Sequence, residues 1–333
     1  MKKLLAVMLS VIMVFSFAAC AGKSANNEGE SQTEETTTIR IGAMAGPTAM
    51  GMVKLRKDSE NGNTKNTYAF EDFATDASAF VTPLATGEID IAAVPSNLAA
   101  NIYNKTEGKV QVVAVNTLGV LNLVERGNSV NNISDLKGKT LYATGMGAVP
   151  EYTIRYILSA NGLDADKDVD IVWCSDTTEA LSKLKAQDGA IAVLPQPFVT
   201  AASAQISDLR VVMDLNDAWD KVNSTSKIVT GVIVVRKEFA DKYPEQLKQF
   251  IEEYKASVEY TSTNVDETAQ LIADYGVVAS ATIAKKALPK CHIVCYTNND
   301  MKDALKGFLK VLYDQNPKSV GGSMPEDDFY YEY

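Results

Sequence analysis

One histidine, His292, stands in the 333-residue chain, between Cys291 and Cys295 in the run Cys-His-Ile-Val-Cys-Tyr-Thr. A Cys-His-Cys metal site is one chemistry open to these residues. The spacing matches no common zinc pattern, and a fourth ligand is missing. The run reads as a strand, which sets the two cysteines about 13 Å apart, beyond disulfide reach. Buried structural roles are the better reading for all three. Serine-type catalysis needs a base, and His292 is the sole candidate. There is no Gly-x-Ser-x-Gly elbow, no Walker A loop and no His-Glu-x-x-His pair. Nothing in the sequence pairs two carboxylates. The expectation is binding without catalysis, with no metal and no cofactor.

Binding chemistry is offered by a set of small-residue loops. Gly46-Pro47-Thr48-Ala49, Val94-Pro95-Ser96-Asn97 and Gly145-Met146-Gly147-Ala148 each stand between a strand pattern and a helix pattern. Small residues let backbone approach a ligand closely. Free N–H groups and the positive end of a helix can hold a carboxylate, a sulfonate or a polar ring oxygen. Pro195-Gln196-Pro197-Phe198 adds an amide donor and acceptor beside an aromatic ring. Each loop alone also fits ordinary turn chemistry. The candidate ligand-binding residues are Gly46, Pro47, Thr48, Pro95, Ser96, Asn97, Gly145, Met146, Gly147, Ala148 and Gln196. Trp219 joins them as a ring that could stack on a ligand or pack the hinge. Arg155 could be a counter-ion, but a solvated or ion-paired surface role suits it better. Gly145-x-Gly147 lacks the third glycine of a dinucleotide fingerprint.

These loops need strands to hold them. Strand patterns at Ile39–Met44, Thr67–Phe73, Ile89–Val94 and Val110–Val115 alternate with helices, one of them running from Met50 to Lys57 with Thr48 as its cap. Asp76 caps the next helix, which ends at Gly87. The pattern restarts at Thr140–Ala143, with further strands at Asp168–Cys174, Ala190–Leu194 and Leu209–Met213. Thr177 or Thr178 caps a helix between them, and Asn299 caps the last, Asp300–Asp314. Alternating strands and helices predict α/β architecture with mostly parallel sheets. The C-terminal helices need a sheet to cover. The chain should therefore cross to a second lobe near Leu118–Arg126 and return near Met213–Val235. Ligands in such sheets bind beyond the carboxyl ends of strands.

The first twenty residues set the compartment. Lys2 and Lys3 precede an apolar run from Leu4 to Ala19, the layout of a secretory signal and too short to span a bilayer comfortably. Phe17-Ala18-Ala19-Cys20 has the form of a bacterial lipobox, with Cys20 lipidated. Ala21–Thr38 holds no large apolar residue and reads as a disordered tether. Three cysteines remain after lipidation, so no complete disulfide framework is expected. The formal charge of −10 becomes −12 when Lys2 and Lys3 leave, which argues against nucleic acid as a partner.

The lipobox, the opening strand IRIGAMAGPTAM, the loop AVPSN, the segment SDLKGKTLYATGMGAVPEYTIRYIL, the pair LPQPF, VTGVIVVRKEFADKYPE and the tail NPKSVGGSMPEDDFYYEY form one pattern. The chain resembles extracytoplasmic substrate-binding proteins of ABC importers, in the nitrate, sulfonate, taurine and thiamine-precursor branch. The resemblance implies a two-lobed type II periplasmic-binding fold: two mixed, mostly parallel sheets joined by a two-crossover hinge. It sets lobe 1 at 39–121 and 232–333 and lobe 2 at 122–231. It places the ligand loops on Gly46–Thr48, Pro95–Asn97, Gly145–Ala148 and Gln196. None of these loops holds a basic residue, which weakens a strongly anionic ligand. The partners implied are a small organic ligand and ABC permease subunits, with the membrane met only through the lipid and the protein a monomer. An enzyme on the same fold and a lipoprotein feeding a receptor kinase are the alternatives.

Overall fold

The computed structural model describes residues 37–333. The leader, Cys20 and the tether up to residue 36 lie outside the described residues. The first elements are β1 (Thr38–Ala43), α1 (Pro47–Met50), α2 (Val53–Glu60), β2 (Thr67–Phe70), α3 (Val81–Thr86), β3 (Ile91–Pro95), α4 (Ser96–Lys105) and β4 (Val110–Leu118). Next come β5 (Leu121–Arg126), β6 (Thr140–Ala143), α5 (Val149–Ala160), β7 (Asp170–Trp173), α6 (Thr177–Ala186), β8 (Ile191–Pro195), α7 (Phe198–Gln205), β9 (Leu209–Asp214) and α8 (Leu215–Val222). β10 (Val229–Arg236), α9 (Lys237–Lys242), α10 (Pro244–Thr263), α11 (Val265–Asp274), α12 (Ala281–Ala287), β11 (Ile293–Tyr296) and α13 (Asn298–Gln315) complete the order.

The strands form two sheets, β11-β4-β10-β3-β1-β2 and β7-β6-β8-β5-β9. Both are mixed. β1, β2 and β3 pair in parallel, as do β6, β7 and β8. The interior strands β10 and β5 run against their neighbours on both sides. Each begins just after a crossing between sheets, so it enters its sheet from the crossing end. Parallel strands need a crossover from one end to the other. β3 and β4 are nearly all buried, as expected of strands covered on both faces.

Several local expectations change. Thr48 caps no helix: it lies within α1, whose cap is Gly46 at φ 97°, and the helix breaks at Gly51–Met52 before α2. Asp76 does cap, taking the Ser78 N–H at 2.9 Å, and Gly87 ends α3. Asp176, not Thr177 or Thr178, caps α6, and Thr297, not Asn299, precedes α13. Strand β11 starts at Ile293, leaving Cys291 in the preceding turn and His292 left-handed at φ 46°. The described residues include no group of His, Cys, Asp and Glu placed to hold a metal ion.

One apolar cluster runs through both halves, joining Val94 and Phe308 to Leu141 and Trp219. Trp219 is fully buried. Its ring lies 4.5 Å from Tyr156 and 5.5 Å from Phe308, and its Nε1–H donates to the Ser226 carbonyl at 3.1 Å. The indole therefore packs where the two sheets are joined. It has no face left for a ligand.

Candidate functional site

All four candidate loops leave the carboxyl ends of parallel strands: β1, β3, β6 and β8. In the first sheet two of them converge. Thr48 is 1% exposed, and its carbonyl accepts from Asn116 Nδ2 at 2.9 Å. Gly231 of β10 stands opposite Pro95. A Cβ at Gly231 would lie 2.2 Å from Thr48 Cγ2 and 2.5 Å from Asn116 Oδ1. Only a residue without a side chain lets the α1 loop close down on β10. The Ser96 hydroxyl donates to the Val229 carbonyl at 2.6 Å. This ties the start of α4 to the first residue of the returning strand. Asn97 is 8% exposed, and its carboxamide has no hydrogen-bond partner among the described residues. The Thr48 hydroxyl is likewise buried without a partner.

The second sheet supplies the other pair of loops. Gln196 is 2% exposed; its N–H donates to the Val120 carbonyl at 2.8 Å, and its Oε1 accepts from Thr200 at 2.8 Å. It thus stands one hydrogen bond from the outgoing crossing at Gly119–Val120. The peptide between Gln196 and Pro197 is cis. In the Gly145–Ala148 loop the Gly147 N–H donates to Glu151 Oε2 at 2.6 Å. Met146 is strongly exposed, and Phe198 is exposed beyond β8. Arg155 is not free: it pairs with Glu151 at 2.8 Å and Asp166 at 2.9 Å.

Sequence reasoning missed a group at the crossings. His292 Nδ1 lies 2.6 Å from the Gly119 carbonyl. Since a carbonyl only accepts, Nδ1 carries the proton. Asn216 Nδ2 bonds the same carbonyl at 2.8 Å, and His292 Nε2 faces Asp214 at 3.9 Å. The lone histidine thus clasps the outgoing crossing and faces the start of α8. Its left-handed backbone carried no sequence signal.

A cavity of about 730 Å³ lies away from the candidate loops. Arg236, Lys237, Asp241 and Gly108 help to line it, at the amino end of β4 and the far end of β10. Volume alone does not make it the ligand site. In α/β sheets the ligand-bearing loops leave the carboxyl ends of parallel strands.

Two mixed sheets joined by two crossings, with small-residue loops at the carboxyl ends of their strands, define the periplasmic-binding-protein fold. A family model for the ABC transporter, phosphonate, periplasmic substrate-binding protein matches residues 71–287. The chain belongs to that family, whose members are the substrate-binding components of ABC importers. Among solved structures, an ABC transporter protein from Parabacteroides distasonis is 26% identical, with a TM-score of 0.72, over 89% of this chain and 99% of that one. The aliphatic sulphonate binding protein SsuA from Escherichia coli is 16% identical, with a TM-score of 0.71, over 89% and 92%. The alkanesulfonate-binding protein SsuA from Xanthomonas axonopodis, bound to MOPS, is 12% identical, with a TM-score of 0.61, over 87% and 94%. These last two share the fold. No curated protein matches the chain.

Proposed function

We propose that this chain is an extracytoplasmic lipoprotein, anchored through Cys20, that captures a small organic ligand between two lobes and delivers it to an ABC permease. Lobe 1 is residues 39–121 and 232–333, and lobe 2 is residues 122–231. The ligand loops are Gly46–Thr48, Pro95–Asn97, Gly145–Ala148 and Gln196. A ligand touching both lobes favours the closed state by its differential affinity. The protein acts as a monomer and does no covalent chemistry. No helix among the described residues is long and apolar enough to cross a membrane, in keeping with attachment by a lipid.

One observation carries this reading. Two buried candidate residues are each bonded to a crossing: the Ser96 hydroxyl to the Val229 carbonyl, and the Gln196 backbone N–H to the Val120 carbonyl. A ligand seated on these residues would act directly on the joint. The test is mass spectrometry of what leaves the purified protein on denaturation, followed by thermal shift with that compound. A binder raises the midpoint as its concentration passes Kd. Gln196→Ala should shrink the shift, whereas an equal shift in variant and parent removes Gln196 from the site. Ser96→Ala also leaves the Val229 carbonyl unpaired, so the ligand-free protein should lose about 1–3 kcal/mol. Turnover of a metabolite by the purified protein would favour an enzyme instead.

A further inference from the structure

The Gly119 carbonyl takes one hydrogen bond from the side of each sheet. His292, which leads into β11 of the first sheet, donates from Nδ1 at 2.6 Å. Asn216, which follows β9 of the second sheet, donates from Nδ2 at 2.8 Å. The two donor nitrogens lie 3.3 Å apart. A carbonyl oxygen has two lone pairs, so both are filled, one from each half. The neighbouring backbone is held as well. The Leu118 N–H donates to the His292 carbonyl at 3.1 Å, and the Val120 carbonyl accepts the Gln196 N–H at 2.8 Å.

Both donors are fixed from behind. Asn216 Nδ2 also donates to Asp214 Oδ1 at 2.8 Å, and the same oxygen takes the Asn216 N–H at 2.8 Å. That holds the carboxamide in one orientation. His292 stands left-handed at φ 46°, a conformation uncommon outside glycine, and from it sends both its ring and its carbonyl to one strip. Backbone of this kind persists where its surroundings over-determine it, and it clusters where function needs it. A turn of one sheet against the other carries the two donors apart, because each moves with its own sheet. One carbonyl cannot follow both.

We propose that His292 and Asn216 are positioning residues: they set the angle between the two sheets in the ligand-free protein, and through it the affinity for whatever bridges them. This role rests on the two-lobe capture proposed above. Neither residue belongs to the candidate ligand loops. The link to the ligand runs through Gln196, whose N–H bonds the next carbonyl along, that of Val120. When only a fraction of the molecules stands at the angle a ligand needs, its apparent affinity falls by that fraction.

Spin labels on Asn63→Cys in the first half and Ser207→Cys in the second, both exposed positions, report the angle as a distance by double electron–electron resonance. Protein without the introduced cysteines is the labelling control, and bound small molecules are first washed out in dilute denaturant. The expected result is one narrow distance for the otherwise native protein. His292→Gly keeps the left-handed backbone and loses the ring, so it should widen or split that distribution. Asn216→Ala removes the other donor and should do the same. His292→Asn tolerates the left-handed backbone and keeps a short amide donor, so it should restore the narrow distance. Each variant is checked for a cooperative melt, and if either loss variant fails to fold the other decides. A broad distribution in the otherwise native protein overturns the proposal, as does a folded His292→Gly or Asn216→Ala variant that stays narrow. Width that His292→Asn does not restore removes His292 from the role. No ligand is present in these measurements, so such results leave the capture reading standing. That reading falls separately, if no small molecule leaves the denatured protein.

Discussion

The Trp219 indole and the Phe308 ring meet at 5.5 Å between centroids, one on α8 after the second sheet and the other on α13 against the first. Both are fully buried. The contact makes the joint part of the hydrophobic core. Trp219→Ala should therefore cost about 3–5 kcal/mol in urea unfolding, and Trp219→Phe clearly less. A loss no larger than that of an exposed site would show that the two sheets are stabilised separately.

Gly231→Ala tests the close approach of the α1 loop. The new Cβ would press on Thr48 Cγ2 and Asn116 Oδ1, for a loss of about 1–3 kcal/mol. Thr48→Ser removes Cγ2, and the double variant should recover part of the loss. Strict additivity in that cycle would show that the two residues do not touch.

Acid sensitivity should be traceable to Asp90. Its side chain is 2% exposed, and burial alone would raise its pKa. Hydrogen bonds from Arg40 at 2.6 and 2.8 Å and from Arg236 at 2.9 Å outweigh this and hold the carboxyl below its ordinary value. A depressed folded-state pKa gives stability that is fully present above the unfolded value of about 3.9 and is lost as pH falls through the folded value. The thermal midpoint should fall over that acid window, and Asp90→Asn should flatten the fall. An unchanged slope in the variant places the acid-sensitive group elsewhere.

The thiols should be slow to react in the native protein. Burial pushes Cys291 up to about 12 and Cys295 up to about 11, and it raises Cys174 as well. The thiolate is the reactive form. Iodoacetamide at pH 8 should label Cys291 only as fast as the protein opens, and all three rapidly in denaturant. Fast native labelling of Cys291 would contradict its burial.

The α/β alternation, the four strand-to-helix loops and the Asp76 and Gly87 helix signals were legible because each is a local pattern of small, apolar or capping residues. The antiparallel placement of β5 and β10 was not, because direction within a sheet follows from where a crossing enters it. Thr48 looked like a cap by type and position, yet packing against Gly231 and Asn116 put it inside α1. Trp219 could be read as a ligand ring or as core, and only its neighbours Tyr156 and Phe308 decide. The tie from His292 to Gly119 joins residues 173 apart and leaves no periodic trace.

Gly119 and Val120 alone separate β4 from β5. A side chain at position 119 would stand 2.1 Å from Asn216 Oδ1, and the Gly119 carbonyl is gripped by Asn216 and His292 at 2.8 and 2.6 Å. Any swing about this strip must either part those two bonds or be absorbed by the torsions of Val120. The joint thus has a catch as well as a pivot, and the force needed to spring it is set by residues that no guest molecule has to touch.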